Sequence, residues 1–305
     1  MNLIVRLLPM SQLKEIKKNI GIIGLGKMGG NIAGRLMEKN WTVVRYNRTP
    51  GPLSSAYSMK ELVKTLPSPK IIWLMVKAGE PVDQLLKELT KFLRRGDIVI
   101  DGGNSFYEDS IERYKKLKKK RINFLDVGVS GGPAGARSGP ALMIGGDKRT
   151  FRKIEFLFKD LAKKNGYQFF EGSGAGHFVK MVHNGIEYGM MQAIAEGFTV
   201  LKNSDYPLDL KKVVNIYNNG SVIESRLIGW LGKSFYLHGE ELKDVSGKVA
   251  HTGEGEWTVK TAKKMGLRVK IIEEAFKFRI LSQKNPSYAG KILSALREQF
   301  GGHKV

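Results

Sequence analysis

The fold of this chain is indicated by one stretch near its N-terminus, NIGIIGLGKMG at residues 19–29. The apolar residues 19–23 predict a buried strand, and the glycines that follow have the GxGxxG spacing of a dinucleotide-binding turn. The first glycine permits a tight turn, the second lets the backbone approach a pyrophosphate, and the third lets the next helix pack closely on the strand. That helix would present its N-terminal N–H groups to the anion. The stretch therefore predicts a cofactor-binding turn made by Gly24, Leu25, Gly26, Lys27, Met28 and Gly29.

Around this turn the chain alternates short apolar strands with helical segments as far as about residue 170. Strands are predicted at 19–25, 42–46, 71–76, 97–101, 123–126 and 142–144, and helices at 32–38, 82–91 and 111–119. This alternation is typical of a parallel sheet that is covered on both faces. We therefore predict a doubly wound α/β Rossmann domain over residues 19–175.

The second half of the chain has helical periodicity without comparable strand signals. Helices are predicted at 177–203, 210–217, 224–237, 257–265, 271–283 and 292–299. Residues 176–305 are thus predicted to form an all-α domain, with the glycine-rich residues 172–176 as the hinge and a ligand in the crevice between the domains. Residues 1–18 are interpreted as an N-terminal extension, which is too short to span a bilayer and lacks a signal-peptide cleavage site.

Composition excludes several classes of site. The 305 residues contain no cysteine, which excludes disulfides, thiolate zinc sites and cysteine nucleophiles and is compatible with the cytoplasmic location that we expect. Five scattered histidines give no metal-ligand pattern, so no metal is predicted. The net charge of +22 is concentrated in residues 1–175, with its densest run at 115–121. Such a run can bind nucleic acid, steer anionic small molecules or reflect a lysine-rich proteome; because no aromatic residues interleave with it, we do not expect nucleic acid, and we expect no membrane partner.

A second motif, GAGHFVKMVHNGIEY at residues 174–188, indicates chemistry. At about 100° per residue, a helix would place Lys180, His183, Asn184 and Glu187 on one quarter of its circumference, with Tyr188 beside them. A solvated polar stripe is the alternative, but the apolar residues on the other faces indicate a helix that is packed on most sides. The motif therefore predicts an active-site helix.

The residues after the second predicted strand bear on the choice of cofactor. A site that prefers NAD usually has Asp or Glu there to bind the ribose hydroxyls, whereas this chain has Asn47, Arg48 and Thr49. Asn47 does not repel a 2′-phosphate, Thr49 can donate to it, and Arg48 can pair with it. NADP is therefore the predicted cofactor, with NAD as the alternative.

These motifs, taken together, resemble those of the 6-phosphogluconate dehydrogenase family from about residue 19 to residue 303. The resemblance also includes VKAG at 76–79, DGGNS at 101–105, VSGGP at 129–133 and the tail REQFGGH at 297–303. The wider β-hydroxyacid dehydrogenase superfamily shares the dinucleotide turn and a Ser-Gly-Gly segment, but it lacks the DGGNS run and the polar set on the helix. The length matches a short form of the family, without the duplicated helical half of the long form.

The resemblance implies NADP-dependent oxidative decarboxylation of a phosphosugar acid, 6-phosphogluconate, to ribulose 5-phosphate and CO2. It implies that Lys180 is the general base and Glu187 the acid. Substrate contacts are implied for Asn104, Ser130, Gly131, Gly132, His183, Asn184, Tyr188, Arg279, Arg297 and His303. Cofactor contacts are implied for Asn47, Arg48, Thr49, Val76, Lys77, Ala78 and Asn104, besides the turn. A homodimer or homotetramer is implied, in which the C-terminal tail with Arg297 and His303 reaches a neighbouring subunit's active site.

One loop departs from the long form of the family. Where that form has a lysine-containing loop before Trp-Thr, this chain reads TGEGEWT at residues 252–258, which matches the Gly-Glu-Gly-x-Trp-Thr of short forms. Glu254 and Glu256 would lie unfavourably beside a phosphate. The phosphate-binding role is therefore assigned to Tyr188, Arg279 and Arg297, with Lys248 as a further candidate.

Two other functions remain open from the sequence. The first is a β-hydroxyacid dehydrogenase that acts on a smaller acid without a phosphate, for which Arg279 and Arg297 would not matter to substrate affinity. The second is a non-catalytic NADP-binding protein whose basic surface binds nucleic acid, which salt-sensitive binding without turnover would reveal.

Overall fold

The computed structural model describes residues 17–302, so residues 1–16 of the predicted extension and His303 lie outside the described residues. The first half forms a seven-stranded sheet in the order β2-β1-β3-β4-β5-β6-β7. The strands are β1 Asn19–Ile23, β2 Thr42–Tyr46, β3 Ile71–Leu74, β4 Ile98–Asp101, β5 Asn123–Ser130, β6 Ala141–Gly146 and β7 Tyr167–Glu171. The helices are α1 Lys27–Glu38, α2 Met59–Thr65, α3 Glu80–Leu89, α4 Tyr107–Lys119, α5 Gly132–Ser138 and α6 Lys148–Leu161. The doubly wound fold class is confirmed.

The sequence predicts a parallel sheet, but one pair of neighbouring strands is antiparallel. β6 runs antiparallel to β5, with Ser130 opposite Ala141, whereas all other pairs are parallel. The reason is the connection of residues 131–140, which is shorter than the dozen or so residues that a parallel crossover needs. The chain therefore turns back on itself through α5, and residues 130–132 are held at the edge of the crevice.

The second half is all-helical, as predicted. Its helices are α7 Ala175–Lys202, α8 Leu210–Tyr217, α9 Arg226–His238, α10 Glu254–Lys264, α11 Lys270–Ser282 and α12 Tyr288–Gly301. Their apolar faces form a core that includes Met191, Leu231, Phe235, Leu293 and Leu296, all completely buried. None of the helices in the described part of the chain combines the length and apolar character required to cross a bilayer.

The N-terminus of α7 is inserted against the sheet. The buried carboxylate of Asp126, on β5, accepts hydrogen bonds from the backbone N–H groups of Gly174 (2.7 Å) and His177 (2.9 Å). These N–H groups have no partner within the helix, so the carboxylate caps it. A Cβ on Gly176 would lie 2.4 Å from the carbonyl oxygen of Met143, and one on Gly128 would lie 2.2 Å from the Cβ of Lys180. Only glycine at these two positions allows so close a contact between helix and sheet.

Side-chain contacts attach the C-terminal helix α12 to both domains. His238, at the end of α9, contacts Asp244 through Nδ1 (2.7 Å) and Glu298 through Nε2 (2.8 Å). Both ring nitrogens donate only in the imidazolium form, and the hydrogen bond to Asp244, followed by that to Glu298, raises the pKa of His238. At the other end of α12, the carbonyl oxygen of Gly302 accepts a hydrogen bond from Nζ of Lys27 (2.5 Å). Lys27 is the first residue of α1, the helix that follows the dinucleotide turn. The tail therefore bridges the two domains within one chain.

We predict that Gly176→Ala lowers the free energy of unfolding by about 2 kcal/mol or more, because the new methyl group would meet backbone atoms that cannot move aside. Gly197→Ala, in the same helix, is the control: its Cβ would meet no atom within 4 Å. That substitution should raise the free energy by up to about 1 kcal/mol through helix propensity. Urea unfolding of both variants measures the difference, and equal effects would contradict the packing described here.

Candidate active site

A cavity of about 950 Å³ lies between the two domains. Its lining comes from the ends of the strands, the start of α7 and the helices α10, α11 and α12. Of the predicted site residues, those that line the cavity are Gly26, Lys27, Met28, Gly29, Val76, Lys77, Ala78, Asn104, Ser130, Gly131, Gly132, Lys180, Asn184, Glu187, Tyr188, Arg279 and Arg297. Gly24, Leu25, Asn47, Arg48, Thr49 and His183 lie outside this lining.

The glycine turn fits a dinucleotide pyrophosphate. Gly24 has a φ of +96°, and a Cβ there would lie 2.3 Å from the carbonyl oxygen of Met75. A Cβ on Gly29 would lie 1.9 Å from the Gly24 carbonyl oxygen, whereas one on Gly26 would project into open space. Gly26 precedes the first residue of α1 and supplies no side-chain cap, so the helix N-terminus is available for an anion.

The predicted ribose-phosphate residues lie beside this turn, at the end of β2. Asn47 Oδ1 accepts from the backbone N–H of Leu25 (3.3 Å), and Asn47 Nδ2 donates to the Thr49 carbonyl oxygen (2.9 Å). Asn47 thus shapes the turn, and Arg48 and Thr49 are exposed next to it. The arrangement fits an adenosine 2′-phosphate as well as a bare ribose, since no carboxylate occupies this position.

On α7, three predicted residues form a hydrogen-bonded group. Asn184 Oδ1 accepts from Lys180 Nζ (2.7 Å) and lies 2.9 Å from His183 Nδ1. Because an amide oxygen only accepts, Nδ1 of His183 carries a proton. In neutral His183, Nε2 then accepts from the hydroxyl of Ser130 (3.2 Å). His183 therefore does not line the cavity itself but links Ser130 to the Lys180–Asn184 pair.

The two predicted catalytic groups have opposite pKa shifts. Burial lowers the pKa of Lys180, although the charges of Glu187 and Glu254 oppose this. Burial raises the pKa of Glu187, opposed first by Lys180 and then by Arg279. Both changes favour the neutral forms, an amine and a carboxylic acid. One helix face therefore presents a group that can accept a proton and another that can donate one.

A cluster of positive charge lies at the other end of the cavity. Arg279 and Arg297 are 2% and 7% exposed, and the guanidinium carbon of Arg279 lies 3.4 Å from the centroid of the Tyr188 ring. Burial lowers the pKa of Arg279 to about 10, so it remains charged at neutral pH. Within residues 17–302, neither guanidinium forms an ion pair, and the one hydrogen bond that the Arg279 guanidinium makes there is to Met191 Sδ (3.7 Å). Two buried cations without an anionic partner indicate an anion-binding site.

The loop that follows β4 is fixed by an arginine that the sequence did not single out. Arg113 is 1% exposed and donates to Asp83, Asp101, Ser105 and the carbonyl oxygen of Gly79. This residue connects the two loops, 76–79 and 101–105, that line the cofactor side of the cavity. The sequence did not reveal this role, because Arg113 lies in a lysine-rich helix and the four groups to which it donates come from separate parts of the chain.

The acidic loop differs from the sequence expectation. Glu254 is buried and lines the cavity, where Oε1 accepts from Asn104 Nδ2 (2.7 Å) and Oε2 accepts from Thr252 Oγ1 (2.6 Å). Glu256 instead pairs with Lys260, one turn along α10, and does not line the cavity. Lys248 is exposed and also does not contribute. The expected conflict with a phosphate therefore concerns Glu254 alone.

The tail also differs from expectation. Arg297 was predicted to serve a neighbouring subunit's site, but it lines the cavity of its own chain. The reason is that α12 buries Ile292, Leu293, Ala295 and Leu296 in the core of its own helical domain. His303 lies outside the described residues, so its predicted role stays a prediction.

Comparisons with known proteins agree with the resemblance of the motifs. The family model described as the NAD binding domain of 6-phosphogluconate dehydrogenase matches residues 19–172, and that of the C-terminal domain matches residues 176–290. Bacillus subtilis YqeC, a protein only provisionally named a 6-phosphogluconate dehydrogenase, is 42% identical over 93% of this chain and 98% of its own length. The NAD(+)-dependent, decarboxylating 6-phosphogluconate dehydrogenase of Haloferax volcanii is 37% identical over 94% of this chain and 98% of its own length.

Comparison with solved structures agrees with these sequence comparisons. Plasmodium falciparum 6-phosphogluconate dehydrogenase, described in its apo form and in complexes with its cofactor NADP+ and its substrate 6-phosphogluconate, superimposes with a TM-score of 0.80 at 32% identity. The match covers 88% of this chain but only 62% of the Plasmodium chain. Mycobacterium tuberculosis 3-hydroxyisobutyrate dehydrogenase, with a TM-score of 0.71 at 19% identity, shares the fold.

We predict that the pKa of Lys180 lies below its ordinary value of 10.5 and falls further in Glu187→Gln, because that change removes the first of the negative charges that hold it up. Glu196→Gln is the control, since Glu196 lies on the same helix but hydrogen-bonds to Gln192. Titration of labelled lysines by NMR measures both. An unchanged or higher pKa in Glu187→Gln would refute this coupling.

Proposed function

The chain belongs to the 6-phosphogluconate dehydrogenase family, and on this premise we propose that it oxidatively decarboxylates 6-phospho-D-gluconate with NADP, giving ribulose 5-phosphate and CO2 for the pentose phosphate pathway in the cytoplasm. The observation that carries the proposal is the placement in one cavity of a buried lysine and a buried glutamate on α7, whose pKa values burial shifts in opposite directions, together with two buried arginines. Residues 19–175 act as the cofactor domain and residues 176–305 as the substrate and dimerisation domain.

In the proposed reaction, the bound nicotinamide supplies the acceptor for the hydride that leaves carbon 3. Neutral Lys180 takes the proton of the carbon-3 hydroxyl, and the ammonium so formed then donates to the new ketone oxygen. That donation draws in the electron pair released when the bond between carbons 1 and 2 breaks and CO2 departs. Glu187, whose pKa burial raises, delivers its proton to carbon 2 of the resulting enediol, which is carbon 1 of the product, while Lys180 takes back the proton of the carbon-3 enol oxygen as the ketone of the product forms.

The remaining site residues hold the substrate. Ser130, Asn184 and His183 form the hydrogen-bonded wall beside Lys180, and Gly131 and Gly132 leave room for the sugar acid there. The phosphate is bound by Arg279 and Arg297 with the hydroxyl of Tyr188, because these two guanidinium groups can form bidentate contacts with its oxygens. His303 is proposed to assist from the tail.

The proposed preference for NADP rests on the end of β2. Asn47 is hydrogen-bonded into the turn, so no carboxylate stands where a 2′-phosphate would lie, and Arg48 is exposed beside it. The pyrophosphate is proposed to bind at residues 24–29, and the cofactor is also proposed to contact Val76, Lys77, Ala78 and Asn104, which line the cavity. The named Haloferax relative is NAD(+)-dependent and the Plasmodium structure holds NADP+, so the family accommodates both.

We also propose a homodimer or homotetramer built through the helical domain. Among residues 17–302, all the exposed large apolar side chains except Met37, Leu53 and Tyr57 lie in the second half of the chain. Such a concentration of exposed apolar surface is typical of an interface. Arg297 already lies in its own chain's cavity, so the interface need not supply this residue.

The proposed function is tested by mixing the enzyme with 6-phosphogluconate and NADP or NAD in separate assays, following nicotinamide absorbance and CO2 release together. We expect equal amounts of reduced cofactor and CO2, with higher kcat/KM for NADP. Lys180→Met and Glu187→Gln should lower kcat by at least about a hundredfold with unchanged NADP affinity, since each loses a proton transfer. Activity confined to non-phosphorylated hydroxyacids would reject the substrate, and equal efficiencies with NAD would reject the cofactor preference.

The source of Arg297 is tested by complementation. Lys180→Met and Arg297→Ala chains are unfolded together, refolded and assayed. If each site uses its own Arg297, every site in a mixed oligomer carries one defect and no activity returns. Recovered activity above that of the separately refolded variants would show that the arginine comes from a neighbouring subunit.

A further inference from the structure

We propose that Glu254 is a positioning residue that fixes the amide of Asn104, so that the cavity wall offers an oxygen acceptor to a hydroxyl group of the sugar acid. The inference rests on the proposed function for the identity of that substrate. It gives a role to the carboxylate that seemed out of place in a phosphate-binding loop.

The first step is the direction of the hydrogen bond. Glu254 is the first residue of α10, so its carboxylate lies beside the unpaired backbone N–H groups of that helix end. A carboxylate only accepts, so Asn104 must turn its Nδ2 towards Oε1, 2.7 Å away. The second oxygen is occupied by the Thr252 hydroxyl. The Oδ1 of Asn104 is therefore the atom left for a ligand in the cavity.

The second step is that the loop itself cannot adjust. Asp101 accepts from the backbone N–H of Gly103 (3.1 Å) and from the Ser105 hydroxyl (2.8 Å), on either side of Asn104. Arg113 donates to both Asp101 and Ser105 from beneath. With the backbone held on both sides, rotation of the Asn104 side chain is the remaining freedom, and Glu254 removes it.

The third step compares the opposite wall. There Asn184 uses its Oδ1 to accept from Lys180 and to contact His183, which leaves Nδ2 for a ligand. Asn104 thus offers an acceptor oxygen to the ligand, and Asn184 offers a donor N–H group. A hydroxyl group can donate to Oδ1 of Asn104, whereas a carboxylate or phosphate, which only accepts, cannot bind there. Glu254 therefore helps to determine the orientation of the bound sugar acid in the cavity.

The bond also joins the two domains directly, because Asn104 follows β4 and Glu254 begins α10. A substrate bound between them meets a wall whose polarity is already set. Glu254 does not itself need to contact the substrate, and its effect is exerted through Asn104.

The test is a double-mutant cycle on kcat/KM for 6-phosphogluconate with Glu254→Ala, Asn104→Ala and the double variant. We expect Glu254→Ala to raise KM for 6-phosphogluconate about tenfold, the cost of about one misdirected hydrogen bond, with a smaller change in kcat. In the Asn104→Ala background the same change should cost little. Glu254→Gln should restore most of the loss, because its amide oxygen can still accept from Asn104. Glu256→Ala is the matched control and should behave as wild type.

A second measurement does not depend on turnover. In ¹H–¹⁵N spectra, the side-chain amide signals of Asn104, identified by their loss in Asn104→Ala, should shift in Glu254→Ala but not in Glu256→Ala. Unmoved signals would overturn the inference, and so would an equal cost of Glu254→Ala with and without Asn104. Absence of any 6-phosphogluconate turnover by the wild type would instead reject the proposed function, with the spectra still deciding whether Glu254 orients Asn104.

Discussion

The insertion of the α7 N-terminus against the sheet is the constraint on which the rest of the molecule depends. Asp126 caps the helix through Gly174 and His177, and Gly128 and Gly176 allow backbone contact that no larger residue would permit. The rotation of α7 is thereby set within the cofactor domain itself. Because one face of α7 carries the proton-transfer groups and other faces pack against α10, α11 and α12, this contact orients the chemistry and the helical domain together.

Burial is the leading cause of the pKa shifts of Lys180, Glu187 and Arg279 in the cavity. Desolvation lowers the pKa of Lys180 and raises that of Glu187, and their mutual attraction opposes both shifts without being the leading cause. At the other end, burial and, less strongly, the charge of Arg297 lower the pKa of Arg279 to about 10, so both arginines remain cationic at neutral pH and repel each other. Folding therefore holds these two cations together at a cost that an anionic ligand would offset.

Much of this was predictable from the sequence, because the main signals are local. The glycine spacing and the 3.6-residue period placed residues 24–29 and the active face of α7. The strand β7 was missed, and so was α6, although Asp147 caps α6 and apolar residues recur along it. The helix α5 has too many glycines for propensity to indicate it. Non-local facts were out of reach: the buried contacts of Arg113, the turn of Glu254 towards Asn104 and the return of Arg297 to its own chain depend on pairs distant in sequence.

The two parts of the site lie on helices that differ in how closely they pack against the sheet. Lys180 packs against Gly128, where an added Cβ would lie 2.2 Å from the Cβ of Lys180, so a side chain at residue 128 would displace the lysine. The arginines stand on α11 and α12, which contact the sheet far less. Substitutions on those two helices could therefore redirect the protein to acids with a different terminal group while the proton-transfer pair is inherited unchanged. For enzyme engineers, α11 and α12 are the part of this scaffold to diversify, and α7 is the part to keep.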